Sequence, residues 1–143
     1  VSFYMKFEGI GDVMTEKIRL RDGTEFTLVP MGITETDKLR IFKIVSNLTY
    51  DETLLNFTNE NNISQIEYIL ADNSVGATYQ DCVSFQWIMY IPNEKIDDNT
   101  VANVYEVALS TDDIERKIKA AQQFIDNAVA ELTILIATIG GNI

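Results

Sequence analysis

The sequence predicts an α+β fold: a mainly antiparallel β-sandwich or barrel with one short crossover helix and a long C-terminal helix. Two observations predict this class. Polar and apolar residues alternate with period two through much of the first ninety residues, and an apolar repeat of period 3.5 fills the C-terminal part. The first pattern is typical of half-buried strands, and the second of a helix that packs along one stripe. We expect a β-rich domain over residues 1–109 and an amphipathic, coiled-coil-like helix over residues 110–143.

The first strands are predicted by a hairpin signal in EKIRLRDGTEFTLVP, where alternating apolar residues flank Asp22-Gly23. Asp-Gly favours a tight turn because glycine adopts positive φ angles without steric cost. Further strands are expected in KLRIFKIVS, ISQIEYILA, VSFQWIMYI and NVYEVALS, which are rich in β-branched and aromatic residues. About six short strands at this spacing favour an antiparallel sandwich or barrel.

A short helix interrupts the strands. Thr49 or Asp51 is expected to cap it, and Leu54, Leu55 and Phe57 are expected to turn inward. The letters NENN then end the helix before the strand that opens with ISQIEYI. We interpret this segment as a crossover over one end of the sheet.

The C-terminal repeat is the strongest pattern in the chain. Its apolar positions are spaced 4-3-4-3-4-3-4 and comprise Ile114, Ile118, Ala121, Ile125, Ala128, Leu132, Leu135 and Ile139. Ser110 or Thr111 is the expected N-cap, acidic residues fill the first turn, and Gly140-Gly141 is the expected stop. The predicted helix covers residues 111–139.

The apolar stripe of this helix is wider than a two-stranded seam requires, because Phe124, Val129 and Ile136 flank it. Two arrangements follow from that width. Three or more identical helices pack in a bundle, or the helix lies against its own β-domain. The repeat serves as an oligomerisation or docking seam in the first case.

Charge and composition exclude several classes of protein. The formal net charge of −11 disfavours nucleic-acid binding, because the chain repels a phosphate backbone. A single cysteine rules out an intrachain disulfide. The opening stretch VSFYMKFEGIGDV has the features of neither a signal peptide nor a nucleotide-binding loop. The most apolar run, residues 132–139, is shorter than the ~20 residues that a membrane span needs, so we expect no membrane partner.

The residues for familiar catalytic sites are missing. The chain has no histidine, which removes Ser-His-Asp and Cys-His catalysis. Cys82 lacks an activating partner and is expected to be a buried structural residue. The acidic pairs Asp97-Asp98, Asp112-Asp113 and Glu35 with Asp37 fall where turns and helix starts use acids for local reasons. We therefore predict a protein that is not an enzyme, with no catalytic residue, cofactor or assigned metal ligand.

Aromatic residues in VSFQWIMYI are the candidates for a binding surface. Trp87 and Tyr90 could form a carbohydrate- or protein-binding patch. Strict alternation instead places Phe85 and Trp87 together on the core side of their strand, and this is the favoured interpretation.

The order of elements resembles a known group of proteins. Four features of the chain carry this resemblance: the DGTE hairpin, the crossover with its two leucines and Phe57, the NISQIEYI strand, and a C-terminal helix rich in Ala and Ile. In this layout the chain resembles small proteins encoded in the tail and baseplate gene clusters of phages and prophages of Gram-positive bacteria. The resemblance covers nearly the whole chain and rests on structural features.

The resemblance implies a non-enzymatic, virion-associated structural or assembly protein, with a β-domain for contacts and a helix for oligomerisation or docking. The implied partners are copies of the same chain or other virion proteins. The implied location is the bacterial cytoplasm during assembly and then the virion tail. Two alternatives remain: a carbohydrate- or protein-binding module without catalysis, and an enzyme with two carboxylates converging in a cleft.

Overall fold

The computed structural model describes residues 16–141. The opening stretch VSFYMKFEGIGDV lies outside the described residues. The chain divides into two compact units, residues 1–111 and residues 112–143, and each unit is described separately.

The described part of the first unit, residues 16–111, contains seven strands in one continuous sheet. The strands are β1 (Lys17–Arg19), β2 (Glu25–Glu35), β3 (Leu39–Val45), β4 (Ile66–Ile69), β5 (Val75–Tyr79), β6 (Ser84–Lys95) and β7 (Val101–Ser110). Their order is β5-β4-β1-β2-β3-β7-β6, and every neighbouring pair is antiparallel. Helices α1 (Tyr50–Thr58) and α2 (Glu60–Ile63) connect β3 to β4, and helix α3 (Asp113–Gly141) forms the second unit. The predicted class, α+β with a mainly antiparallel sheet and a long C-terminal helix, is confirmed.

The predicted hairpin joins β1 to β2. Ile18 pairs with Phe26, and Gly23 has a φ of +92° at the turn. The Asp22 side chain supports the turn, because its Oδ1 accepts a hydrogen bond from the Thr24 N–H at 2.9 Å. The turn therefore uses both residues of the Asp-Gly signal.

The core of the first unit lies on one face of the sheet, under α1 and α2. Phe42 and Ile44 of β3 and Ile18 of β1 are fully buried there. Phe57 of α1 is also fully buried, and its ring stacks on Phe26 with 5.3 Å between the ring centroids. The crossover helix is therefore part of the core.

Several details of the crossover differ from the prediction. Two predictions are confirmed: Thr49, one of the two predicted capping residues, is the N-cap, and the side chain of Phe57 is buried. Leu55 does not turn inward, since 67% of its surface is exposed. Thr53 takes the inward position instead, because it lies four residues before Phe57 on the same side of α1. The NENN letters form the start of helix α2 rather than ending the helical segment, because Asn59 caps a second helix.

The start of α3 also differs from the prediction. Ser110 is the last residue of β7 and pairs with Leu39, so it cannot cap the helix. The Thr111 N–H donates to the Lys38 carbonyl. Asp112 provides the cap, because its Oδ1 accepts from the Ile114 N–H at 2.9 Å. The helix ends at Gly141, two residues beyond the predicted end.

Candidate functional site

More than half of the exposed large apolar side chains among the described residues lie on α3. The exposed fractions of the large side chains in its apolar stripe are 66% for Ile114, 63% for Ile118, 52% for Ile125, 56% for Leu132, 56% for Leu135 and 55% for Ile139. Ala121 and Ala128 of the same stripe are exposed too. A helix brings residues spaced four and three apart onto one side, so these eight residues form one continuous seam.

The flanks of the seam enlarge its apolar surface. Phe124 is 76% exposed, and Val129 and Ile136 are also exposed. Soluble proteins rarely leave so large a contiguous apolar surface in water. The seam is therefore a candidate for contact with another surface.

Polar side chains of α3 form hydrogen bonds and ion pairs within the helix. Gln122 donates to Asp126 at 2.9 Å, and Gln123 donates to Asn127 at 3.1 Å. The hydroxyl of Thr133 donates back to the Val129 carbonyl at 2.8 Å. Near the start, Arg116 and Lys117 form ion pairs with Asp113. The N-terminal half of α3 is thus strongly polar on one side, whereas its C-terminal half is more apolar.

By length and composition alone, α3 also qualifies as a helix that could cross a membrane. Within residues 113–140, an 18-residue window has a mean hydropathy of 1.2. The sequence predicts no membrane span, because the run 132–139 is short and Asp126, Asn127 and Glu131 interrupt any longer window. Helix α3 nevertheless meets the length and composition requirement. Asp126 and Glu131 lie inside the same helix, and a charge at the centre of a bilayer is costly.

The aromatic residues of β6 point to opposite faces of the sheet. Trp87, Ile88, Met89 and Tyr90 pair in unbroken register with β7, so residues 87 and 90 alternate to different sides. Tyr90 lies on the core side, with its ring 5.1 Å from that of Tyr105. Trp87 lies on the other side. The two predicted binding aromatics therefore do not share one patch.

The expectation that Phe85 and Trp87 share the core side is wrong for Trp87. The register of β6 against β7 shifts between these two residues, which is a β-bulge. Phe85 packs against the core, whereas Trp87 is 37% exposed. The Trp87 indole N–H donates to Glu106 Oε2 at 3.2 Å.

Cys82 lies in the core, as predicted, with 6% of its surface exposed. Burial, together with the nearby Asp81 carboxylate, raises the pKa of the Cys82 thiol to about 12. The sulfur is therefore protonated at neutral pH and is a poor nucleophile.

A cavity of about 370 Å³ lies beside a distorted segment of β2. Leu28 and Ile33 contribute apolar surface, and Glu16 and Glu35 contribute carboxylates. Both carboxylates have partners: the Tyr68 hydroxyl donates to Glu16 at 2.6 Å, and Arg40 pairs with Glu35 at 3.1 Å. Both carboxylates at the cavity are therefore held by other side chains, and they do not form an acid–base pair that is available to a substrate.

The other acidic pairs do not gather around a common centre. Asp97 and Asp112 accept hydrogen bonds from nearby backbone N–H groups, those of Asn99 and Ile114. Asp113 pairs with basic residues of the next helical turn. Among residues 16–141, no group of three or more His, Cys, Asp or Glu side chains is arranged to hold a metal ion.

A groove of about 600 Å³ lies where β3 and β6 end and β7 begins. Its lining includes Ser46, Asn47, Asn93, Asn99 and Asn103. Sequence reasoning did not single out these residues. The sequence feature that could have indicated them is the repeated occurrence of asparagine at the ends of strands, where polar amides are exposed.

Comparisons with known proteins found no matching family model, no matching curated protein and no matching solved structure.

Proposed function

We propose that this chain is a non-enzymatic structural or assembly protein that associates through the seam of α3. The supporting observation is the exposure of all eight seam residues, Ile114 to Ile139 at spacings of four and three. Covering its six large aliphatic side chains would stabilise an assembly by on the order of 10 kcal/mol per helix. This gain opposes the entropy cost of bringing the copies together, which is of similar size.

The width of the stripe favours three or more helices over two. In a two-stranded coiled coil the apolar contact is confined to two positions of each heptad, and the flanking positions are polar. Here Phe124, Val129 and Ile136 occupy flanking positions and are exposed. A bundle of three or more copies would cover these side chains as well.

The biological setting follows from the resemblance in layout to proteins of phage and prophage tail and baseplate clusters. Such assemblies are built from repeated copies of small chains. We propose that the β-unit makes contacts with other virion proteins and that α3 holds the copies together. The partners are thus the same chain and other tail proteins.

The experiment that tests association replaces one seam residue. Ile125→Asp places a charge in the middle of the seam, and burying an unpaired charge is strongly unfavourable. Gln123→Asp adds the same charge on the opposite side of α3 and is the matched control. We expect Ile125→Asp to reduce the solution mass to that of one chain, while Gln123→Asp keeps the wild-type mass.

Circular dichroism distinguishes the two arrangements of the helix. If Ile125→Asp leaves the β-signal and the unfolding transition of the β-unit intact, the seam belongs to an assembly. Loss of the β-signal would contradict the proposal and would place α3 in the core of a monomer. The virion assignment is tested separately, by detecting the chain as a stoichiometric component of purified particles from the organism that encodes it.

A further inference from the structure

The groove at the ends of β3, β6 and β7 has a surface chemistry that the proposed assembly function does not use. All the described residues that line it are uncharged, on a chain whose net charge is −11. Its polar lining consists of asparagine side chains and Ser46, and its apolar lining is Val45, Val101 and Ala102. A groove of this kind selects neither an anion nor a cation, but a neutral ligand with many hydrogen-bonding groups.

The asparagine amides are available for a ligand. The side-chain amides of Asn47 and Asn93 have no hydrogen-bond partner among the described residues. Asn103 Oδ1 accepts from the Asn93 N–H at 3.1 Å, which leaves the Asn103 amide group free to donate. Each free amide can donate and accept at once, and this matches hydroxyl groups, which also do both.

The backbone holds these amides in place. Asn93 has a φ of +54°, a left-handed conformation that asparagine adopts more readily than most residues. The register of β6 against β7 shifts between Ile91 and Glu94, so Asn93 lies in a β-bulge. Bulges commonly redirect a side chain at the edge of a sheet. Here the bulge places Asn93 against Asn103 at the groove.

Half-exposed tyrosine rings lie on the same side as the groove. Asn103 precedes Tyr105 by two residues on β7, so both side chains project from one face of the sheet. The Tyr105 ring is buried and lies 5.1 Å from Tyr90 and 6.2 Å from Tyr50. Tyr90 is 46% exposed and Tyr50 is 44% exposed.

Helix α1 is linked to the groove through Ser46. Ser46 lines the groove, and its hydroxyl lies 2.8 Å from that of Thr53 in α1. Tyr50 is the first residue of the same helix. The crossover therefore contributes Ser46 to the groove and places Tyr50 against Tyr105, two residues along β7 from Asn103.

From this combination we infer that the groove binds a neutral carbohydrate, which extends along the sheet toward the Tyr90–Tyr105–Tyr50 rings. The C–H face of a pyranose ring packs on an exposed aromatic ring, and its hydroxyls exchange hydrogen bonds with asparagine amides. The absence of charge from the described lining disfavours acidic sugars. The site is independent of α3, since every residue named belongs to the first unit.

Saturation-transfer NMR on the full chain tests the inference, with maltotriose, cellotriose and triacetylchitotriose as probes. We expect transfer to at least one of the three. Tyr90→Ala should weaken the binding of that sugar by about fivefold, since a stacked ring contributes on the order of 1 kcal/mol. Asn47→Ala, which removes a side chain without an internal partner, should weaken binding while leaving the fold unchanged.

The matched control is Trp87→Ala, which removes an exposed aromatic ring from the opposite face of the same strand. It should leave binding unchanged, and binding should not quench the fluorescence of this single tryptophan. The inference is overturned if none of the three sugars shows transfer, or if Trp87→Ala abolishes binding while Tyr90→Ala and Asn47→Ala do not. Neither result bears on assembly through α3, which the solution mass reports.

Discussion

The ring of Phe57 in α1 stacks on that of Phe26 in β2, with 5.3 Å between their centroids and 29° between their planes. Both side chains are buried, Phe57 completely. This contact fastens the crossover helix to the sheet. It also explains the role of the segment between β3 and β4, which contributes a core side chain and holds the Tyr50 ring 6.2 Å from that of Tyr105.

Phe57→Ala should destabilise the β-unit by about 3–5 kcal/mol, because it removes a fully buried aromatic ring and leaves a cavity. Leu55→Ala is the control on the same helix, since Leu55 is 67% exposed and its loss should cost less than about 1 kcal/mol. Urea denaturation followed by circular dichroism measures both. Equal effects of the two substitutions would show that α1 is not packed as described.

Gly23→Ala should destabilise the hairpin by about 1–2 kcal/mol, because Gly23 has a φ of +92° and an L-residue is strained there. No atom would contact the added methyl group, so conformation alone is responsible. Gly140→Ala is the control, because it adds a methyl group in equally open space on a helix. Thermal unfolding should show a lower Tm for Gly23→Ala only. An unchanged Tm would contradict the positive-φ turn.

The stability of the β-unit should fall at high pH through Cys82. Its pKa is raised from 9.0 to about 12, so folding favours the protonated thiol. The contribution to stability is complete below pH 9.0 and is lost as the pH rises from there toward about 12. Cys82→Ala should remove this part of the pH dependence, as measured by denaturation at several pH values.

Labelling of Cys82 by Ellman's reagent gives an independent check. At pH 8 the thiolate fraction of the folded protein should be roughly a thousandfold below that of the unfolded chain, and burial slows access further. The same reaction in denaturant is the control and should go to completion. Rapid labelling of the folded protein would contradict the buried position of the thiol.

Local sequence signals predicted the parts of the fold that depend on a few neighbouring residues. The Asp22-Gly23 turn is fixed by a dipeptide, and β1 and β2 follow from the alternation beside it. The helical repeat from Ile114 to Ile139 was visible because seven-residue spacing is rare by chance and no tertiary contact is needed to detect it. Strand β5 was missed, since VGATY contains a glycine and alternates poorly.

The remaining errors arose where distant pairing decides the outcome. Trp87 faces away from the core because a bulge against β7 shifts the register after Phe85, and alternation within β6 does not reveal that shift. Ser110 is a good capping residue, but its pairing with Leu39 keeps it in β7. The groove was invisible for the same reason, because Asn47, Asn93 and Asn103 come together only in the folded sheet.

The central claim is that α3 assembles several copies of the chain, and the solution mass tests it most directly. Size exclusion with light scattering, at two protein concentrations and without detergent, should give at least three times the 16.2 kDa of one chain. The mass should not fall on moderate dilution if the six aliphatic seam residues are covered. A mass of 16.2 kDa at both concentrations would contradict the account.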